Sequence, residues 1–165
     1  MSTTQSLAAV MCAVVLFTAA SAGAQAPAPP PTYGSPINLE QAKKAMAVAE
    51  AEAKKNSWSM AIVILDSGGL PVMLQRLDNT QWGSIEVAKD KAYSAVAFRR
   101  STKVFSDAIA QGGPNMRLLN LTGASMIEGG VPIVVDGKVI GSIGVSGGTA
   151  QQDAQVAQAG ADALK

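Results

Sequence analysis

The chain contains no histidine, and its one cysteine, Cys12, lies near the amino terminus inside an apolar run. The missing histidine excludes Ser-His-Asp triads, ordinary zinc sites and histidine-ligated haem. It also removes the side chain that most often works as acid and base near neutral pH, so proton transfer would fall to lysine or carboxylates. Aromatic residues make up 4% of the chain, too few for the stacking platforms that hold single-stranded nucleic acid. An excess of one charge is lacking too: 13 Lys+Arg against 12 Asp+Glu leave a net charge of +1. Without a basic field, nucleic acid is not an expected partner.

What is present begins with "LAAVMCAVVLFTAA", an apolar run too short to span a bilayer comfortably, followed by the small residues "SAGAQA". This is the pattern of a secretory signal cut after Ala24, or after Ala26, although "MSTTQS" lacks the usual positive charge. Cys12 is not read as a lipid attachment site, because apolar sequence continues well past it. Residues 1–24 are therefore expected to be a signal peptide and 25–36 an extended linker rich in proline (Pro27, Pro29, Pro30, Pro31). Residues 37–165, roughly 130 in all, suffice for one domain with one core. The mature protein is expected to be periplasmic or secreted, without cysteine and without a membrane span.

The pattern of that domain predicts alternating helices and hairpins. Asn38 caps a helix carrying Leu39, Ala42, Met46 and Ala49 at helical spacing, which stops at Asn56. "SMAIVILD" reads as a buried strand, and "VMLQRLD", after the turn "DSGGLP", as its hairpin partner. Ala88, Ala92 and Ala95, with Ile85 and Val96, form a small-residue stripe on the next helix, which breaks at Arg99–Ser101 before a shorter one, "TKVFSDAIAQ". "NMRLLNLTGASMIEGG" is read as a short strand and a loop. "VPIVVDGKVIGSIGVSG" is a second hairpin, with Asp136-Gly137 as its type I′ turn. The last helix starts at Thr149 in capping-box spacing with Gln152 and has Val156, Ala159, Ala163 and Leu164 on its apolar side. This order predicts an α+β layered domain.

Four groups of residues are candidate binding elements. Ser146-Gly147-Gly148-Thr149 joins the second hairpin to the last helix; glycines and a helix N-terminus could cradle an anion, or Thr149 could simply cap the helix. Glu128-Gly129-Gly130 offers a similar close backbone approach. Arg76 and Asp78 stand at alternate positions, as a salt bridge or as a guanidinium for a ligand carboxylate. Lys91, flanked by Glu86 and Asp90, is either a solvated helical lysine or an anion ligand. Asp153 in the first turn of the last helix is explained by the helix dipole. Trp82, Tyr93, Phe98 and Phe105 could wall a flat apolar ligand or belong to the core. The sequence assigns no catalytic residue and no metal-ligand set.

The stretches "VILDSGGLPVMLQRLDNTQWGSIEVAKDKAYSAVAFRRST" and "IEGGVPIVVDGKVIGSIGVSGGTAQQDAQVAQAGADAL" together resemble the GlcG/HbpS-like family, also called the haem-degrading domain or DUF336. The resemblance spans nearly all of the chain after the linker. It implies a profilin-like antiparallel sheet of about five strands flanked by helices, and a homo-oligomer between a dimer and an octameric ring. It implies binding of haem or a related tetrapyrrole, with degradation of that ligand as a further role described in the family, and the signal-like segment makes this an exported member. The alternatives are binding or conversion of a small hydroxy or keto acid through Arg76 and Lys91, or a ring-forming structural module. If haem is the cofactor, no histidine is available for its iron, and the candidates by type are Tyr93, Met116, Thr122 and Met126.

Overall fold

The computed structural model describes residues 29–165, so the expected signal peptide and Cys12 lie outside the described residues. Nine elements of regular structure and one 3-10 helix follow in chain order: β1 (Thr32–Tyr33), α1 (Leu39–Lys55), β2 (Ala61–Asp66), β3 (Pro71–Arg76), α2 (Ser84–Phe98), α3 (Lys103–Ala110), the 3-10 helix Gly113–Asn120, β4 (Gly130–Val135), β5 (Lys138–Ser146) and α4 (Ala150–Asp162). The five strands form one sheet with β5 at its centre. β5 runs antiparallel to β4 on one side and to β2 on the other, and β3 closes the far edge as the hairpin partner of β2. β1 is parallel to the start of β5, so the sheet begins at Thr32, within the segment read as linker.

Both faces of this sheet are covered, and that explains the uninterrupted apolar run of β2. Ile62 and Ile64 point with Ile133, Ile143 and Val145 into a core closed by Ala42, Met46 and Ala49 of α1 and by Val156 and Ala157 of α4. Ala61, Val63 and Leu65 alternate to the other face and meet Ala88 and Ala92 of α2. The alanine stripe therefore does what its side chains allow: it brings a helix backbone close to strands. Opposite it, β5 presents Gly144, whose position leaves no room for a methyl group between sheet and helix.

The local signals behave as their chemistry requires. Asn38 and Thr149 each complete a capping box, with Gln41 and Gln152. Asp136 and Gly137 both have positive φ, 50° and 72°, as a type I′ turn needs. α2 stops where Arg99 turns left-handed, φ 53°, which produces the expected break. The structure is thus the α+β arrangement of five strands and flanking helices that the order of hairpins and helices indicates.

Three expectations differ from the structure. Between Gly113 and Asn120 there is a 3-10 helix, not a strand; Pro114 sits at its start, and consecutive leucines supply no strand alternation. The buried side of α4 is Val156, Ala157, Gly160 and Ala161, whereas Ala159, Ala163 and Leu164 are only partly covered. Gly160 lies on this buried side: a Cβ there would stand 2.6 Å from Ile143 Cδ1 and 3.0 Å from the Ala45 carbonyl oxygen, so its missing side chain lets α4 lie close to β5 and α1. Leu39, at the first position of α1, stays 51% exposed, and Ile37 just before the helix cap takes the core place at this end.

Candidate functional site

Lys91 is the most deeply enclosed charged residue of the domain, 1% exposed. It leaves α2 on one face of the sheet and reaches α4 on the other. Its ammonium donates to the Val145 carbonyl at 3.0 Å and to Asp153 Oδ2 at 2.7 Å. The other oxygen of Asp153 accepts from the Gly148 backbone N–H at 3.0 Å. The passage exists because residue 129 is glycine: a Cβ there would stand 2.9 Å from Lys91 Nζ and 2.7 Å from the Val145 carbonyl oxygen, and its φ is +119°. Lys91, Gly129, Gly148 and Asp153 are thus brought together from four parts of the chain. The helix dipole accounts for an acidic residue at position 153 but does not reveal this bond. The pairing of Asp153 could not be read from spacing, since it lies 62 residues from Lys91.

The two glycine loops are packed by the protein itself. Gly130 exchanges backbone and side-chain hydrogen bonds with Thr102, both at 3.0 Å, and Glu128 receives Lys103 at 3.1 Å. A Cβ on Gly147 would lie 2.3 Å from the Ser59 carbonyl oxygen. Gly148 serves Asp153, the Thr149 N–H serves Gln152, and Ser146 meets Ser84 across 3.4 Å. This turn holds β5 and α4 on β2.

Arg76 and Asp78 are placed elsewhere. They line a cleft of about 410 Å³ with Glu50, Lys54, Trp58 and Gln75, between the end of α1 and the ends of β2 and β3. They do not pair with each other, and neither has an ion-pair partner among the described residues. The Glu50 carboxyl is held below its ordinary value of 4.5, first by its hydrogen bond from Lys54 and then by Gln75. Lys91 does not line this cleft.

Tyr93 separates two further clefts. Its ring stands between the glycines of two loops: a Cβ on Gly69 would lie 3.3 Å from it, and one on Gly123 2.9 Å. On one side is a cleft of about 330 Å³ with Asp90, Gly123 and Ser125. On the other is one of about 280 Å³ with Tyr33, Gly68, Gly69 and Val96. Each is near the lower end of the ~300–1,000 Å³ typical of small-molecule sites. Tyr93 itself is 47% exposed. The Arg99 guanidinium lies over the ring of Tyr33, which lines the second cleft, 5.3 Å from the ring's centre. The other aromatics diverge: Phe98 and Phe105 pack edge to face at 5.4 Å, and Trp82 is 82% exposed. Met116 and Thr122 are exposed and Met126 is half-buried. Among the described residues no cluster of metal-ligating side chains forms, and no helix is long and apolar enough to cross a membrane.

The structure is an α+β domain with one five-stranded sheet covered by helices on both faces, and with clefts lined by Trp58, Tyr93 and Tyr33. Residues 37–162 match the family described as "Haem degrading protein HbpS-like", and the chain belongs to that family. It is 38% identical over 110 residues to the protein GlcG of Escherichia coli K12, a span covering 67% of this chain and 81% of GlcG. Among solved structures it is similar to HbpS, with a TM-score of 0.72, 30% identity, and coverage of 81% of this chain and 94% of that one. A complex of PduOC with haem matches with a TM-score of 0.71 and 25% identity, over 79% of this chain and 96% of that one.

Proposed function

We propose that this protein is exported and binds haem or a related tetrapyrrole at Tyr93. The observation that carries the reading is Tyr93 itself, a half-exposed phenol standing between two clefts on a helix of small residues. In a chain without histidine, tyrosine and methionine remain as established axial ligand types for haem iron, and of the candidates Tyr93, Met116 and Met126 it is Tyr93 that lines two clefts. Val96, Ala97 and the Tyr33 ring give one cleft an apolar wall, and Arg99, over the Tyr33 ring, supplies a nearby cation for a propionate. The family match and the haem complex of PduOC support the choice of ligand class. Bound haem would supply any oxidative degradation of the macrocycle; the protein's part is to bind and orient it. The signal-like segment 1–24 supports a periplasmic or secreted location. Exposed Met116, Leu119, Leu121 and Ile127 offer an apolar surface for self-association.

The test is a haemin titration of residues 25–165 followed by absorbance, with native mass spectrometry for stoichiometry. A saturable Soret shift at a fixed ratio per subunit is expected, and Tyr93→Phe should alter the iron's spectrum while leaving the protein folded. A folded protein that gives no Soret shift overturns the haem reading; a Tyr93→Phe spectrum identical to the parent's removes Tyr93 as ligand.

A further inference from the structure

The cleft at the end of α1 is unrelated to the Tyr93 surface and shares no lining residue with it. Its charges have an order that a solvated surface does not require. Lys54 and Glu50 are paired with each other, and Gln75 also bonds Glu50 from β3, so the charges of this part of the wall offset each other. Arg76 and Asp78 face the same concavity, one at the last residue of β3 and one just beyond it, with no ion-pair partner among the described residues. Trp58 lines the cleft and packs at the same time against the core, so its indole is held in place.

We infer that this cleft is a second binding site, for a free α-amino acid. The lining carries two cations, Lys54 and Arg76, and two anions, Glu50 and Asp78, and is formally neutral. A simple carboxylate would satisfy Arg76 and leave Asp78 facing like charge; a simple amine would do the reverse. A zwitterion satisfies both. Its carboxylate takes the planar fork of Arg76, its ammonium donates to Asp78, and its side chain lies along Trp58. A cleft of about 410 Å³ is large enough for such a molecule.

Trp58 also supplies the measurement. The chain has two tryptophans, and Trp82 is almost wholly exposed, so Trp82→Phe leaves Trp58 as the sole reporter. In that background, fluorescence is titrated with a panel of α-amino acids, and with L-lactate and isopropylamine as probes that each keep one of the two groups of alanine. A saturable change with at least one amino acid is expected, with lactate and isopropylamine weaker by roughly tenfold or more, the loss of one charge-assisted hydrogen bond. Arg76→Gln and Asp78→Asn should each weaken binding to a similar degree, with circular dichroism and haemin titration unchanged. No saturable response to any amino acid overturns the proposal. So does lactate binding as tightly as the best amino acid, which would make the site one for carboxylates, or affinity untouched by both substitutions.

Discussion

Lys91 shows how a residue's surroundings reverse the meaning of its type. A lysine on a helix usually keeps its ammonium in water. Here it is enclosed because Gly129 opens a channel past the sheet and Asp153 waits at the end of it. Removing one partner leaves the other charged in a low-dielectric interior. Lys91→Met should therefore destabilise the domain by about 3–5 kcal/mol in urea unfolding, and the double change with Asp153→Leu should cost clearly less. A single variant within about 1 kcal/mol of the parent would show that water reaches Asp153. Arg76 and Asp78 present the opposite case. They could be read as a pair from their spacing, and the cleft they share is visible, but their freedom from each other and the presence of Trp58 and Glu50 beside them come from three separate elements.

At the scale of elements, the helices and hairpins were largely legible because each carries its own instructions. Caps, an Asp-Gly turn and an alanine stripe act over four or five residues. The alanine stripe had a counterpart that the sequence could not match to it. Gly144 of β5 lies under α2, and a Cβ on it would stand 2.0 Å from the Ala88 carbonyl oxygen and 2.5 Å from the Ala92 backbone nitrogen. Neither obstacle can rotate away. Gly144→Ala should cost about 1–3 kcal/mol or more, read as a lowered unfolding midpoint. Gly83→Ala is the control: nothing lies within 4 Å of its Cβ, and the change should be nearly neutral. In 115–130 the loop is present but the expected short strand is a 3-10 helix, because these turns carry no strand periodicity; the loop is held by Tyr93 against Gly123 and by Lys103 on Glu128, contacts that lie outside it.

For the whole molecule, several hydrogen-bonded charged groups set how stability follows pH, and one of them, Glu52, lies where α1 docks on α4. Glu52 accepts from Gln155 of α4 at 2.6 Å and from Asn56 at 3.1 Å, and its carboxyl is held below the ordinary 4.5, chiefly by Gln155. Glu50 is lowered by Lys54 and Gln75, and Asp162 is lowered from 3.8 by Lys165 and Gln158. A lowered carboxyl binds its proton more readily in the unfolded chain, so its stabilisation is present above the ordinary value and lost as pH falls through the folded one. Lys103 is raised above 10.5 by Asp107 and Glu128, so its contribution is present below that value and lost as pH rises through the folded one. Thermal unfolding across pH should show a plateau between these limits and a fall on the acid side below about 4.5. Glu52→Gln should flatten the acid fall; an unchanged profile would remove the α1–α4 contact as its source.

The sequence by itself determined most of the elements, the burial of β2 and the exclusion of histidine chemistry, because composition and short-range periodicity act without reference to distant residues. Its family resemblance also followed from contiguous stretches. Tertiary structure alone decided that Lys91 is bolted to Asp153, that the glycine turn after β5 closes on Ser59 rather than on open space, and that Tyr93 stands between two clefts. Those are facts of close approach between segments dozens of residues apart. A glycine signals that something comes near; only the folded chain shows whether that neighbour is a ligand or the protein's own backbone.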